Sequence, residues 1–308
     1  EISGKYRFEV STLSDYPAVG DFVMIDRLDN ENGNAVIHHL LSRKSVFIRK
    51  RAGKSNEEQI VASNIDIVFI CMSVNRDFNL RRLERYLAIS WDSGAIPVVV
   101  LTKADLCEDI SKRISEVESV ALGVDIVATS SLNENGHLGL MDYIKKEQTI
   151  AFIGSSGVGK SSLINQLIGE NKFETREIRD DDKGRHTTTR RELIMLDSGA
   201  MVIDTPGMRE LGLENNDVSK AFADIDELAM KCKFHDCTHT SEPGCKVQKA
   251  IQSGVMTVDR LLSYQKLKKE AKYEGLNSRQ IEAEKIKDMF GGFGAMKSAK
   301  AHVKSKKV

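Results

Sequence analysis

The stretch Gly154-Ser155-Ser156-Gly157-Val158-Gly159-Lys160-Ser161 constrains this chain more than any other. It follows the apolar run Thr149 to Ile153 and precedes the helical pattern of Ser162 to Ile168. Strand, glycine-rich loop and helix therefore succeed one another. Glycines let backbone N–H groups curl around an anion, and the helix N-terminus adds partial positive charge. In the pattern G-x-x-x-x-G-K-[ST] the lysine neutralises β- and γ-phosphates and the hydroxyl residue ligates Mg²⁺, roles that fall here to Lys160 and Ser161.

The surrounding sequence supplies the sheet such a loop needs. Apolar runs of strand length, Ile65 to Val74, Ile96 to Leu101, Val124 to Thr129 and Thr149 to Ile153, alternate with helical stretches at Leu80 to Asp92, Ile110 to Leu122 and Leu138 to Lys145. Nearly continuous Val/Ile strands separated by helices predict a parallel sheet covered on both faces. Ile194 to Leu196 and Met201 to Ile203, joined by Asp197-Ser198-Gly199, read as a β-hairpin added to that sheet. After Gly212 the strand patterns stop, and helical and charged segments fill the rest.

Two further segments belong with the phosphate loop. Asp204-Thr205-Pro206-Gly207 has the D-x-x-G form at a strand end, where Asp204 holds Mg²⁺ through water and the Gly207 N–H senses the γ-phosphate. Between them lies Gly184-Arg185-His186-Thr187-Thr188-Thr189, a polar stretch suited to a switch, with Thr188 and Thr189 as candidates to complete the Mg²⁺ shell when the γ-phosphate is present. Met208 follows Gly207, and a thioether does not orient water. His186 is the candidate for that task, because a neutral imidazole accepts a hydrogen bond at neutral pH.

Thr102-Lys103-Ala104-Asp105, after the strand Ile96 to Leu101, is similar to the guanine-reading N-K-x-D. A carboxylate there accepts from guanine N1–H and the exocyclic amino group; adenine offers neither donor in that arrangement, and the charge would stay unpaired. Lys103 would lay its stem over the base, and Ser130-Ser131 after the next strand fits the loop that backs the guanine O6. These base-reading segments precede the phosphate loop, whereas ordinary GTPases carry them after it. The expectation is a circularly permuted P-loop domain. A P-loop ATPase or kinase would need a different base site, and a nucleotide-binding scaffold would not need Lys160, Ser161 and Asp204 together.

The two ends of the chain differ from this centre. Residues 1 to about 62 read as short strands: Tyr6 to Val10, Asp21 to Ile25, Ala35 to Ile37 after the hairpin signal Asn32-Gly33-Asn34, and Ser45 to Ile48, together a small β-barrel. Arg43, Lys44, Arg49, Lys50, Arg51 and Lys54 form a basic cluster there, and Lys297, Lys300, Lys304, Lys306 and Lys307 form a second, both suited to nucleic-acid phosphate. Lys plus Arg and Asp plus Glu number 45 each, so net charge alone points to no partner. Cys232, Cys237 and Cys245 cluster with His235 and His239, a Cys₃His set typical of closed structural zinc in which either histidine is the fourth ligand. The odd, clustered cysteines suit a reducing cytoplasm. No apolar run reaches the roughly 18 to 20 residues of a membrane span, and no signal peptide is visible.

Taken in order, Thr102 to Asp105, Gly154 to Ser162, Gly184 to Thr189, Asp204 to Gly207, Cys237-Thr238-His239-Thr240 and Glu242-Pro243-Gly244-Cys245 resemble the ribosome small-subunit-dependent GTPase A family, and the resemblance covers essentially the whole chain. It implies three parts: an all-β OB-type barrel over 1–62, a circularly permuted α/β GTPase domain over 63–213, and a mostly α zinc-binding domain over 214–308. It also implies hydrolysis of GTP to GDP and phosphate stimulated by the small ribosomal subunit, rRNA contact, a role in late maturation of that subunit, and a monomer in the cytoplasm. The family pattern favours His239 over His235 as zinc ligand and supports His186 as the water-orienting group. Thr102 departs from the general GTPase Asn, which puts the guanine N7 contact in question.

Overall fold

Ile67–Ser73 is apolar on both faces and is buried along its whole length, and the molecule is organised around it. The computed structural model describes residues 1–28, 33–50, 58–75, 77–130, 136–170, 192–204, 221–273 and 280–285. The expected switch residues His186, Thr188 and Thr189, together with Ser131, Gly207 and the C-terminal lysines, lie outside them.

The N-terminal part holds the helix α1 (Gly4–Glu9) and the strands β1 (Val23–Ile25), β2 (Ile37–Leu40), β3 (Val46–Lys50) and β4 (Glu58–Ser63). Among the described residues these strands form two antiparallel pairs, β1 with β2 and β3 with β4. The expected strand Tyr6 to Val10 is the helix α1 instead. Ser3 accepts from the Tyr6 N–H as its N-cap, and only Tyr6 of the segment is buried, its hydroxyl donating to the Asp15 carbonyl at 2.7 Å. Phe8 stays 92% exposed, so the apolar alternation fills no sheet face.

The central sheet continues with β5 (Ile67–Ser73), α2 (Leu80–Ser93), β6 (Ile96–Thr102), α3 (Ile110–Glu118), β7 (Asp125–Ala128), α4 (Leu138–Met141), β8 (Thr149–Ile153), α5 (Lys160–Ile168), β9 (Glu192–Met195) and β10 (Met201–Asp204). Its order is β7-β6-β5-β8-β10-β9. All neighbours are parallel except β9, which pairs with β10 as the expected antiparallel hairpin. The helix expected to run to Lys145 stops at Met141, where turns replace it.

Side-chain alternation along these strands builds two cores. One face carries Ile67, Phe69, Cys71, Val98, Val100, Ile150 and Phe152, which pack on Leu163 and Ile164 of α5 and on Leu140. The other carries Val68, Ile70, Met72, Val99, Leu101, Ala151 and Ile153 under α2 and α3. That second core runs on into the C-terminal helices α6 (Ala223–Met230), α7 (Lys246–Gln252) and α8 (Val258–Tyr273) through Phe222, Ile225, Val247, Leu261 and Tyr264. It also takes in Phe47 and Val61 from the N-terminal part. Each such fully buried side chain contributes about 1.5–3 kcal/mol, so the C-terminal helices gain much of their stability from the sheet.

The N-terminal part is bolted to the sheet where β4 gives way to β5. Gly20 has φ +94°, and a Cβ there would meet the Ser63 carbonyl oxygen at 2.1 Å and Ile203 at 3.0 Å, so only glycine permits the approach. The Asp21 side chain, 1% exposed, takes the Arg43 guanidinium at 2.7 Å and the Ser63 hydroxyl at 2.5 Å. Arg43 also donates to the Ser14 and Tyr16 carbonyls. Its charge is thus spent inside the protein, which removes it from the basic cluster read as facing nucleic acid.

Candidate nucleotide and metal sites

The parallel strands place their following loops at one end of the sheet, beyond their carboxyl ends, where α/β proteins bind ligands. The loop Gly154 to Gly159 follows β8, and Gly159 caps α5 in the left-handed region at φ +99°. Gly154, at φ +139°, passes so close to β5 that a Cβ would meet the Cys71 carbonyl oxygen at 2.2 Å. The central strand therefore fixes the loop from below. Ser155 and Ser156 lie on the rim, Val158 is buried beneath it, and Ser161 and Ser162 occupy the first turn of α5. Lys160 Nζ lies over the loop and donates to the carbonyls of Gly154 at 2.8 Å and Ser155 at 2.6 Å.

Two bonds tie the loop after β6 to this one. The Thr102 hydroxyl donates to the Val158 carbonyl at 2.5 Å, and Lys103 Nζ donates to the Gly157 carbonyl at 2.8 Å. Lys103 is left-handed at φ +58°, which turns the chain into a short 3₁₀ segment, Ala104–Leu106. The Ala104 N–H donates to the Thr129 carbonyl, and the Ser130 hydroxyl donates to Asp105 Oδ1. Asp105 is exposed while Ser130 is buried, so a fixed hydroxyl aims one oxygen of an open carboxylate. Asp204 ends β10, two strands from β5 across β8.

At the far end of the chain, Cys232, Cys237, His239 and Cys245 bring their ligand atoms within 4.8 Å of one another. His239 Nδ1 lies 3.7 Å from Cys232 Sγ and 3.5 Å from Cys245 Sγ. His235 is exposed and lies outside the group. Cys245 caps α7, and the Gln248 N–H donates to its sulfur at 3.4 Å; the Lys246 N–H donates to Cys232 Sγ at 3.4 Å. Burial works to raise the Cys232 thiol, but hydrogen bonds from the Lys246 and Val247 N–H groups outweigh it and hold the thiol below its ordinary value. Burial also lowers His239, favouring the neutral imidazole that binds metals. Burial pushes the Cys237 thiol up to about 11 in the absence of an ion, and three sulfurs converging with one imidazole form the donor set of a tetrahedral metal ion.

Sequence reasoning missed one buried group entirely. Glu84 on α2 has no exposed surface and lies against Arg260 of α8, itself 3% exposed. The signal was present: Glu84 falls on the face of α2 that buries Leu83, Leu87 and Ala88, and Arg260 starts the stripe Tyr264, Leu267, Ala271.

A parallel sheet in which the phosphate loop follows a later strand than the loop at Thr102 to Asp105 defines a circularly permuted P-loop GTPase. A family model described as RsgA GTPase matches residues 40–214. The chain belongs to the RsgA GTPase family. It is 52% identical over 301 residues, 97% of this chain and 85% of the relative, to small ribosomal subunit biogenesis GTPase RsgA 2 of Lactiplantibacillus plantarum. It is 42% identical over 281 residues to small ribosomal subunit biogenesis GTPase RsgA of Methanosarcina acetivorans, covering 89% of this chain and 76% of that one. Among solved structures it is similar to YjeQ from Thermotoga maritima, with TM-score 0.64, 27% identity and 88% of each chain covered. It is also similar to YloQ, described as a circularly permuted GTPase, with TM-score 0.60, 27% identity, and 83% of this chain and 81% of that one covered.

Proposed function

We propose that this GTPase acts on the small ribosomal subunit, assisting its late maturation and hydrolysing GTP to GDP and phosphate with stimulation by that subunit. The observation that carries the nucleotide reading is the pair of bonds from Thr102 and Lys103 to the Val158 and Gly157 carbonyls, which hold the base loop against the phosphate loop. The small-subunit reading rests on the names of relatives aligned along nearly the whole chain.

In this reading Asp105 accepts from the guanine edge, Ser130 aims its carboxylate, Ser131 backs the O6 and Lys103 covers the base. The N–H groups of Gly154 to Ser162 wrap the phosphates, and Lys160 sets its charge against the β- and γ-phosphates. Mg²⁺, held by Ser161 and approached by Asp204, supplies charge neutralisation at the γ-phosphate when bound. Gly207, Thr188 and Thr189 respond to the γ-phosphate, and His186 orients the attacking water. Cys232, Cys237, His239 and Cys245 hold one zinc ion in a structural role, since all four tetrahedral positions are filled by protein. Residues 1–62, read as an OB-type barrel, and residues 214–308, with the zinc loop, flank the GTPase domain of 63–213 and grip rRNA. The protein works as a monomer in the cytoplasm; among the described residues no helix is long and apolar enough to cross a membrane.

GTP turnover measured with small subunits, with large subunits and with neither tests this directly. Stimulation by small subunits alone is expected. Equal turnover in all three conditions would overturn the small-subunit assignment, and tighter binding of ATP than of GTP would overturn the base assignment.

A further inference from the structure

A hydroxyl has one proton to give, and Thr102 gives it to the phosphate loop. Its Oγ1 donates to the Val158 carbonyl at 2.5 Å, and both residues are buried. A carboxamide at this position carries two N–H donors, so it can hold the same carbonyl and still donate to a second acceptor. Threonine cannot do both.

The second acceptor matters for reading a purine. Guanine offers donors at N1 and at its exocyclic amino group, but its N7 and O6 are acceptors. Reading N7 therefore takes a donor from the protein, placed in the plane of the ring. The side-chain donors of segments 102–105 and 129–130 are Thr102, Lys103, Thr129 and Ser130. Thr102 is spent on Val158. The Ser130 hydroxyl donates to Asp105 Oδ1. Lys103 Nζ lies 2.8 Å from the Gly157 carbonyl of the phosphate loop, and a stem laid over the face of the base brings no donor into its plane. The Thr129 hydroxyl has no partner among the described residues, but it is covered.

The backbone keeps Thr129 there. Its N–H donates to the Leu101 carbonyl at 2.8 Å, and its carbonyl accepts from the Ala104 N–H at 3.0 Å. A group that touches the base must present surface to the site. Thr102 is 3% exposed and Thr129 2%, whereas Asp105 is exposed. The open group is thus an acceptor, suited to the guanine donors and useless to N7.

We infer that Thr102 sets the base specificity of this site: guanine is read by its Watson–Crick edge and N7 is left unread, so 7-deazaguanine nucleotides bind as guanine nucleotides do. The inference rests on the assignment of 102–105 to base reading under the proposed function, and not on the small-subunit assignment. Putting C–H in place of N7 removes the acceptor and leaves the Watson–Crick edge and the phosphates unchanged.

Competition of GDP and 7-deaza-GDP against a fluorescent guanine nucleotide, on the full chain, tests this. Wild type is expected to bind the two within about twofold, because no hydrogen bond is lost. Thr102→Asn is expected to prefer GDP by roughly 3- to 10-fold, the effect of one added hydrogen bond to N7. A wild-type preference for GDP of that size would overturn the inference, whichever donor supplied it. A Thr102→Asn protein that folds, binds GDP and shows no preference would overturn Thr102 as the determinant. Where that variant fails to fold, the wild-type pair of nucleotides decides alone. Asp105→Asn, assayed with guanine and xanthine nucleotides, separates the two levels. Unaltered guanine selectivity there strikes the base-site reading itself, and this inference falls with it. Altered selectivity beside a wild-type penalty on 7-deaza-GDP strikes this inference and spares that reading.

Discussion

The Thr102 hydroxyl reaches the Val158 carbonyl at 2.5 Å, so the residue standing where most GTPases carry asparagine still ties the base loop to the phosphate loop. The departure at this position is thus one of chemistry toward the base and not of loop architecture. Thr102→Val keeps the shape, removes the donor and leaves a buried carbonyl unpaired, at a cost of about 1–3 kcal/mol. Titration with a fluorescent GTP analogue should show a loss of affinity of roughly 5- to 160-fold by the same principle. Thr102→Asn should bind within a few-fold of wild type. Equal affinity for the valine variant would mean that the tie does not position the loops.

Asp105→Asn should move preference from guanine towards xanthine nucleotides, because an amide donates where the carboxylate accepted. Ser130→Ala should weaken guanine binding without changing its selectivity, since it frees the carboxylate that Ser130 holds. Competition between GTP and XTP for each variant checks both. Unaltered GTP selectivity in Asp105→Asn would remove this residue from base reading.

Metal removal should strike the loop first and the shared core next. Cys237→Ser or chelation is expected to lower the melting temperature of the whole chain, because α6 to α8 continue the core that underlies α2 and α3. Metal analysis of freshly purified protein should give about one zinc per chain, the ratio a single Cys₃His site takes. Protein free of zinc with an unchanged melting curve on chelation would sink the structural-metal assignment.

Acid should loosen the N-terminal attachment through Asp21. Burial works to raise this carboxyl, but hydrogen bonds from Arg43, Ser63 and the Ala18 N–H hold it below the usual carboxylate range. A lowered folded value means its stabilisation is complete above the unfolded value of about 4 and is lost as pH falls through the folded one. Asp21→Asn should cost about 3 kcal/mol at pH 7, as it strands the Arg43 charge, and should flatten the acid side of the stability curve. Denaturant unfolding between pH 7 and 3 measures both. A variant as stable as wild type at pH 7 would show that the pair contributes nothing to the attachment.

His186→Ala should bind GTP and small subunits nearly normally while losing most subunit-stimulated hydrolysis, accumulating as a GTP complex on the subunit. Single-turnover hydrolysis on saturating subunits reads this. Stimulation at the wild-type level would place the water-orienting group elsewhere.

The sheet was legible because β5, β6 and β8 are buried on both faces, and a strand so placed must be continuously apolar. The phosphate loop was legible because Gly154 has no substitute where it crosses the Cys71 carbonyl. Tyr6 to Val10 misled for the opposite reason. A short exposed segment has no face to satisfy, so its alternation carries no information, and a local cap at Ser3 decides the conformation. Arg43 shows a second limit: a basic cluster in sequence does not reveal which of its charges is turned inward to a distant carboxylate. Glu84 and Arg260 stood out as charges within apolar stripes, but their partnership spans so much chain that only the folded arrangement joins them.

The position of β5 also decides when this protein acquires its structure as it is being synthesised. β5 and β6 emerge close together and pair, but the other edge of β5 waits for β8, which is made only after β7 and α4. Until then the Ile67 to Ile70 edge offers unpaired amides and carbonyls on a wholly apolar strand, an invitation to mispairing on a crowded polysome. The N-terminal strands precede β5 in the chain, yet Phe47 and Val61 wait for the core they share with the later strands. The nascent chain thus carries an open sheet edge from the synthesis of β6 until that of β8.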